Sequence, residues 1–178
     1  DLEQKLEEAG QLARRSQFEP AIELFQDLTR ENPKDARPYT EWASALIWDY
    51  EPAKALPHAQ KATELDPTSA AAAAALAWAY VDSGDVEQGL EQALQAVELD
   101  SGNALAHTAL AYAYMADDQL QKAVDEADLA LVQDINAADA HRVRGWLYHM
   151  ADNDMGRAAG ELQIAAGLQP ELWLRRHE

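Results

Sequence analysis

Cysteine is absent from the 178 residues. That removes disulfides, thiolate nucleophiles and thiolate metal sites. Glycine and proline are sparse, with eight and seven copies, and β-branched residues are few. No stretch reaches the ~18 apolar residues of a membrane span. The longest candidate, Ala70 to Tyr80, is short and mostly alanine. No signal peptide opens the chain. Cations are scarce as well: 14 Lys and Arg stand against 32 Asp and Glu, a net charge of -18. Phosphate contacts need clustered Lys and Arg, so nucleic acid and anionic membranes are excluded as partners, as is direct membrane insertion. The sequence starts at Asp1 inside a helical pattern, which reads as a piece of a longer protein. The cytoplasm is the favoured compartment, although no motif names one.

What remains is alanine, leucine, glutamate and glutamine, all strong helix formers. An all-α chain is expected. Its internal spacing is the main signal. Asn32-Pro33 and Asp66-Pro67 lie 34 residues apart, and Gln169-Pro170 follows three units later with one residue extra. Units then run over about 2–35, 36–69, 70–103, 104–138 and 139–172, with the extra residue placed near Ile135. Columns align within them. One is small (Ala9, Ala43, Ala77, Ala111, then Trp146). Another is larger (Leu12, Leu46, Tyr80, Tyr114, His149). A third is small again (Ala21, Ala55, Gly89, Ala123, Ala158). Small residues let two helices approach closely, and larger ones fill the gap beside the contact. Breakers such as Ser83-Gly84-Asp85 and Asp117-Asp118 split each unit into two helices of about 14 residues, roughly 21 Å long. A lone hairpin cannot bury both faces, so neighbours must stack into a solenoid. Residues 171–178 are expected to begin a capping or truncated further helix. Pro57 falls five residues into a second helix, which predicts a bend or loosened turn there, or a helix starting late near Leu56. Trp42 and Trp146 are expected in the core, and Trp173 over the last hairpin.

Ala77, Tyr80, Gly84 and Pro67, with Ala21, Phe25, Leu28 and Pro33, carry a resemblance to the tetratricopeptide repeat family. It spans Leu2 to Pro170 as five tandem copies. The family's frequent tryptophan at position 4 is replaced by Lys5, Tyr39, Ala73, His107 and Arg142, and the fifth copy is irregular at Gly145-Trp146. The resemblance implies an α-α superhelix of stacked antiparallel hairpins whose first helices line a concave groove. It also implies a protein-binding role. The groove positions it implies include Arg37, Ile47, Trp48, Ala74, Trp78, Val81, Leu105, Tyr112, Met115, Leu147 and Met150. Most are apolar or aromatic and are not needed for the hairpin core, so an exposed apolar surface and a partner are expected. Packing between repeats is the competing explanation for Trp78 and Met115, and local packing for Trp48. Members that bind a terminal carboxylate use lysines and asparagines on this wall. Units 2 to 4 hold neither at those positions, and Arg37 is the only cation there, which argues against such a clamp.

Second helices and turns carry most acids, among them Glu87, Glu91, Glu98, Asp125, Glu126 and Asp128. The charge therefore reads as a solvated outer face. Glu7, Glu41 and Asp82 face inward against Arg14, Arg37 and Arg144. His149 falls in a core column. No cofactor, metal or catalytic constellation is expected, and no phosphate loop or zinc motif occurs. The expected function is a scaffold binding a peptide or helix with an apolar face, for which basic flanks are allowed. Self-association or a rigid spacer role are the alternatives.

Overall fold

A computed structural model describes residues 1–171. Among them are ten helices and no strand: α1 (Leu2–Arg14), α2 (Phe18–Glu31), α3 (Ala36–Trp48), α4 (Pro52–Leu65), α5 (Ala70–Asp82), α6 (Val86–Leu99), α7 (Ala104–Ala116), α8 (Leu120–Gln133), α9 (Ala138–Asp152) and α10 (Met155–Leu168). Consecutive helices pair as antiparallel hairpins. Each odd-numbered helix also packs on the next odd-numbered one, and each even-numbered helix on the first helix of the following hairpin. The chain is an all-α solenoid. The odd-numbered helices form its inner layer. The expectations about Trp173 and most of a helix at 171–178 lie outside the described residues.

Local chemistry sets the helix ends. Asp35, Ser69, Asp85, Asn103 and Asp154 cap five helices by accepting a backbone N–H with the side chain, which satisfies donors that the first turn leaves open. Asp66, Asp100 and Asp134 each accept the N–H two residues on, turning the chain between hairpins. Within the hairpins the turn needs a left-handed residue. Ser16, Tyr50, Gly84, Asp118 and Asn153 supply it, with φ between 51° and 90°. The next N–H then reaches back to the carbonyl of Leu12, Leu46, Tyr80, Tyr114 or Tyr148, at 2.9 Å each time.

Those carbonyls correct the expected register. The column runs to Tyr148, not His149, and α9 begins at Ala138, one residue before the boundary inferred from sequence. The extra residue therefore lies between Tyr148 and Asp154. It lengthens α9 to 15 residues instead of sitting near Ile135. Gly145, not Trp146, occupies the small column, and His149 is exposed. Among the described residues the buried histidines are His107 and His141, 34 residues apart. His107 Nδ1 lies 2.7 Å from Glu126 and Nε2 3.0 Å from the Ser101 carbonyl. His141 repeats this with Glu161 (2.7 Å) and the Ile135 carbonyl (2.8 Å). Each ring thus ties a corner and both helices of its hairpin together. Glu126 has a structural partner and is not simply a solvated charge.

The alanine columns are the hairpin contacts: Ala9, Ala43, Ala77 and Ala111 are fully buried, as are Ala21, Ala55 and Ala123. Bulk is concentrated in the first hairpin, where Phe18, Phe25 and Leu28 are enclosed. Pro57 lies inside an uninterrupted α4 that starts at Pro52, so the late-start alternative is overturned. Pro57 is exposed, and the ring of the next residue, His58, stacks on Trp42 at 3.7 Å. Trp42 is half-buried between the first two hairpins.

Candidate functional site

The inner layer curls far enough for its second and fifth hairpins to meet. Trp48, at the end of α3, donates its indole N–H to Asp139 at the start of α9 over 3.4 Å. Beside this contact lies a cavity of about 810 Å³, lined by Ile47, Trp48, Asp49, Tyr50, Pro52, Trp78, Asp82, Tyr112, Arg142 and Trp146. A smaller recess of about 60 Å³ adjoins it, floored by Ala71, Ala74 and Ala75 with Leu105 and Ser44 at its side. Ile47, Trp48, Trp78 and Arg142 line both spaces and so partition them.

The aromatic wall follows from the repeat. Trp78, Tyr112 and Trp146 occupy one helical position in α5, α7 and α9, 34 residues apart. First-helix packing brings them side by side. Trp78 and Tyr112 stack at 3.9 Å with planes 16° apart, and Trp146 follows at 6.1 Å and 45°. The Arg142 guanidinium lies over the edge of this ladder, 5.7 Å from the Trp78 ring and 5.4 Å from that of Trp146. Such distances give a cation–π attraction. Asp139 neutralises the same guanidinium at 2.5 Å.

Asp82 closes the α5 end of the wall. It accepts the Tyr112 hydroxyl at 2.5 Å and remains solvent-exposed along the cavity. Partial burial raises its carboxyl above the ordinary value, against the opposing pull of Tyr112 and Arg142. The Tyr112 phenol is raised for the same reason and by the carboxylate it faces. The lining thus combines five aromatic side chains with charge in a concave space, where electrostatic interactions are stronger than in bulk water.

The residues inferred from sequence divide in three. Ile47, Trp48, Trp78 and Tyr112 line the cavity, and Ala74 and Leu105 the recess. Met115 is half-buried against the fourth hairpin, and Met150 is exposed beyond the cavity lining. The other three expectations are corrected. Leu147 is fully buried in the core, because the true register puts Trp146 on the groove side. Val81 is buried with a methyl aimed at Gly89, where an added Cβ would stand only 2.5 Å away. Arg37 is at the far corner, bonded to Asp35 at 2.6 Å and to Glu3. The inward cation of the last hairpin is Arg142. Arg144 turns instead to Asp128 (3.0 Å) and Glu161 (2.8 Å). Trp146 and Arg142 were missed through the one-residue slip. The unbroken 34-residue spacings of Trp78, Tyr112 and Trp146, and of His107 and His141, were the signal that could have found them.

Among the described residues no group of three or more His, Asp or Glu is placed to hold a metal ion. No helix there is long and apolar enough to cross a membrane.

No family model matches the sequence, and no curated protein is detectably similar to it. Solved structures do share the fold. TTC0263, a thermophilic TPR protein of Thermus thermophilus, superposes with a TM-score of 0.79 at 19% identity, over 98% of this chain and 96% of its own. MamA of Desulfovibrio magneticus RS-1 gives 0.60 at 20% identity, covering 95% of each chain. YrrB, described as a TPR protein with an unusual peptide-binding site, gives 0.56 at 18% identity over 100% of this chain and 93% of its own. The chain therefore has the fold of tetratricopeptide-repeat proteins.

Proposed function

We propose that this solenoid is a protein-interaction scaffold that binds a segment of another protein in the cavity between α3, α5, α7 and α9. The observation that carries the reading is the ladder of Trp78, Tyr112 and Trp146, presented to a cavity of about 810 Å³. The hairpin contacts are already made by the alanine columns. The row of large aromatic rings packs on the hairpin cores with one side and is only partly buried, which leaves aromatic surface at the cavity suited to anchoring a ligand. A protein of similar fold, YrrB, is described as having a peptide-binding site. The recess floored by Ala71, Ala74 and Ala75 lets a ligand side chain approach the backbone of α5 closely.

Selection of a displayed peptide library against the chain tests the reading. Enriched peptides are expected to lose about 30-fold in affinity on Trp78→Ala, the equivalent of roughly 2 kcal/mol at an aromatic anchor. Equal binding by Trp78→Ala and Trp146→Ala variants with intact helicity refutes it.

Self-association is the second reading. The end of α8 and the following corner expose Val132 (78%) and Ile135 (66%). Light scattering over a concentration series that stays monomeric removes it.

A further inference from the structure

We infer that the segment bound in this cavity is basic: it brings an arginine or lysine whose head meets Asp82 and whose stem lies along the Trp78 and Tyr112 rings. This rests on the cavity being the binding site. Desolvation is the first reason. Asp82 and Asp49 both line the cavity. Any occupant that fills the space takes the exposed Asp82 carboxylate out of water. An apolar occupant leaves that charge with only the Tyr112 hydroxyl and the pull of Arg142 in place of its water, which is unfavourable. An anionic one adds repulsion. A cation restores the lost hydration as a charge-assisted hydrogen bond.

The chain also puts a cation of its own on the same rings. It seats a guanidinium, that of Arg142, against Trp78 and Trp146. Those faces therefore accept a cation in this geometry. Arg142 offsets Asp82 only in part, because Asp139 holds its guanidinium at 2.5 Å. The exposed Asp82 carboxylate remains at the cavity for a ligand cation, in a chain carrying -18. The field draws basic segments in and speeds their association. Arginine suits the site better than lysine, since its planar head stacks on aromatic faces and forks onto a carboxylate.

Three pools of fluorescent random hexapeptides, identical except for a central arginine, norleucine or glutamate, test this by anisotropy against the full chain. The arginine pool is expected to bind about tenfold tighter than the norleucine pool, and more weakly as ionic strength rises through about 0.1 M. Asp82→Asn keeps an oxygen for the Tyr112 hydroxyl and so preserves the wall. It is expected to bring the arginine-to-norleucine ratio close to one. Equal binding of those two pools to the wild type, or an unchanged ratio in Asp82→Asn, overturns the inference. If binding is equal but lost in Trp78→Ala, the cavity remains the site and only the basic ligand is rejected. If no pool binds, both the cavity and the cation are rejected.

Discussion

Replacing Gly145 by alanine probes how the last hairpin holds Arg142 and Trp146 in place. Gly145 sits in the small column of α9, and the partner position on α10 is Leu162. In three other hairpins the equivalent pair is alanine on alanine: Ala43 with Ala59, Ala77 with Ala93, and Ala111 with Ala127, all fully buried. The fifth hairpin has traded volume across the contact. A Cβ on Gly145 would stand 2.9 Å from Leu162 Cγ, 3.1 Å from its Cδ2 and 3.2 Å from the Ala158 carbonyl. Helix propensity favours alanine over glycine by about 0.5–1 kcal/mol. Overpacking costs about 1–3 kcal/mol, so a net loss near 1 kcal/mol is expected, lowering the melting temperature by about 2–4 °C. Leu162 is half-buried, so Leu162→Ala is expected to lose about 1–2 kcal/mol. The double variant recreates the alanine pair, and the clash at Leu162 disappears. It should be less destabilised than the sum of the singles by about 1 kcal/mol, a coupling measurable by urea unfolding followed by circular dichroism. Additivity within about 0.5 kcal/mol would refute the volume trade.

Other expectations follow from charges and caps. Glu41 is half-buried; desolvation raises its carboxyl, and Glu7 adds to the shift while Arg14 opposes it. A raised value means the contribution is present below the ordinary carboxylate range and lost as pH rises, so Glu41→Gln should raise the melting temperature at neutral pH. That advantage should vanish below about pH 4. Burial alone would raise Glu161, but His141 and Arg144 hold its carboxyl below the ordinary value. Its contribution is present above the ordinary range and lost as pH falls through the lowered value. Glu161→Gln should therefore flatten the acid limb of the pH–stability curve. Asn103 caps α7 through Leu105 N–H at 3.0 Å and Ala106 N–H at 3.3 Å, so Asn103→Ala should cost about 1 kcal/mol in the same unfolding assay. Trp48→Phe removes the indole donor to Asp139 and should speed amide exchange in the first turn of α9, which an unchanged exchange rate would contradict.

Much of the site was legible before folding was considered. Trp78 and Tyr112 share a helical position in successive units, and the resemblance to tetratricopeptide repeats implied that this position faces the groove. Ile47 and Trp48 followed from the groove positions that the same resemblance implied. The fifth unit was not legible, because an insertion anywhere between Asp134 and Asp154 keeps the chain length the same. Placing it before α9 moved Leu147 outward and Trp146 inward, whereas the backbone places it after Tyr148. A one-residue slip rotates a helix by about 100°, enough to exchange a core residue for a groove residue. Val81 misled for another reason: glycine stands at 89, where the other hairpins carry alanine, and admits its methyl.

The sequence by itself determined the helices, their pairing and their stacking. Those depend on propensity, on small residues repeating every 34 positions, and on caps within a few residues of the helix they start. All are local or strictly periodic. Tertiary structure decided what the inner wall became. The curvature that brings Trp48 to Asp139, 91 residues away, accumulates from small rotations between hairpins, and no single unit encodes it. That curvature sets Asp82 at the cavity beside the aromatic ladder and lays Arg142 across it. A row of aromatic positions thereby becomes a cavity with a defined charge.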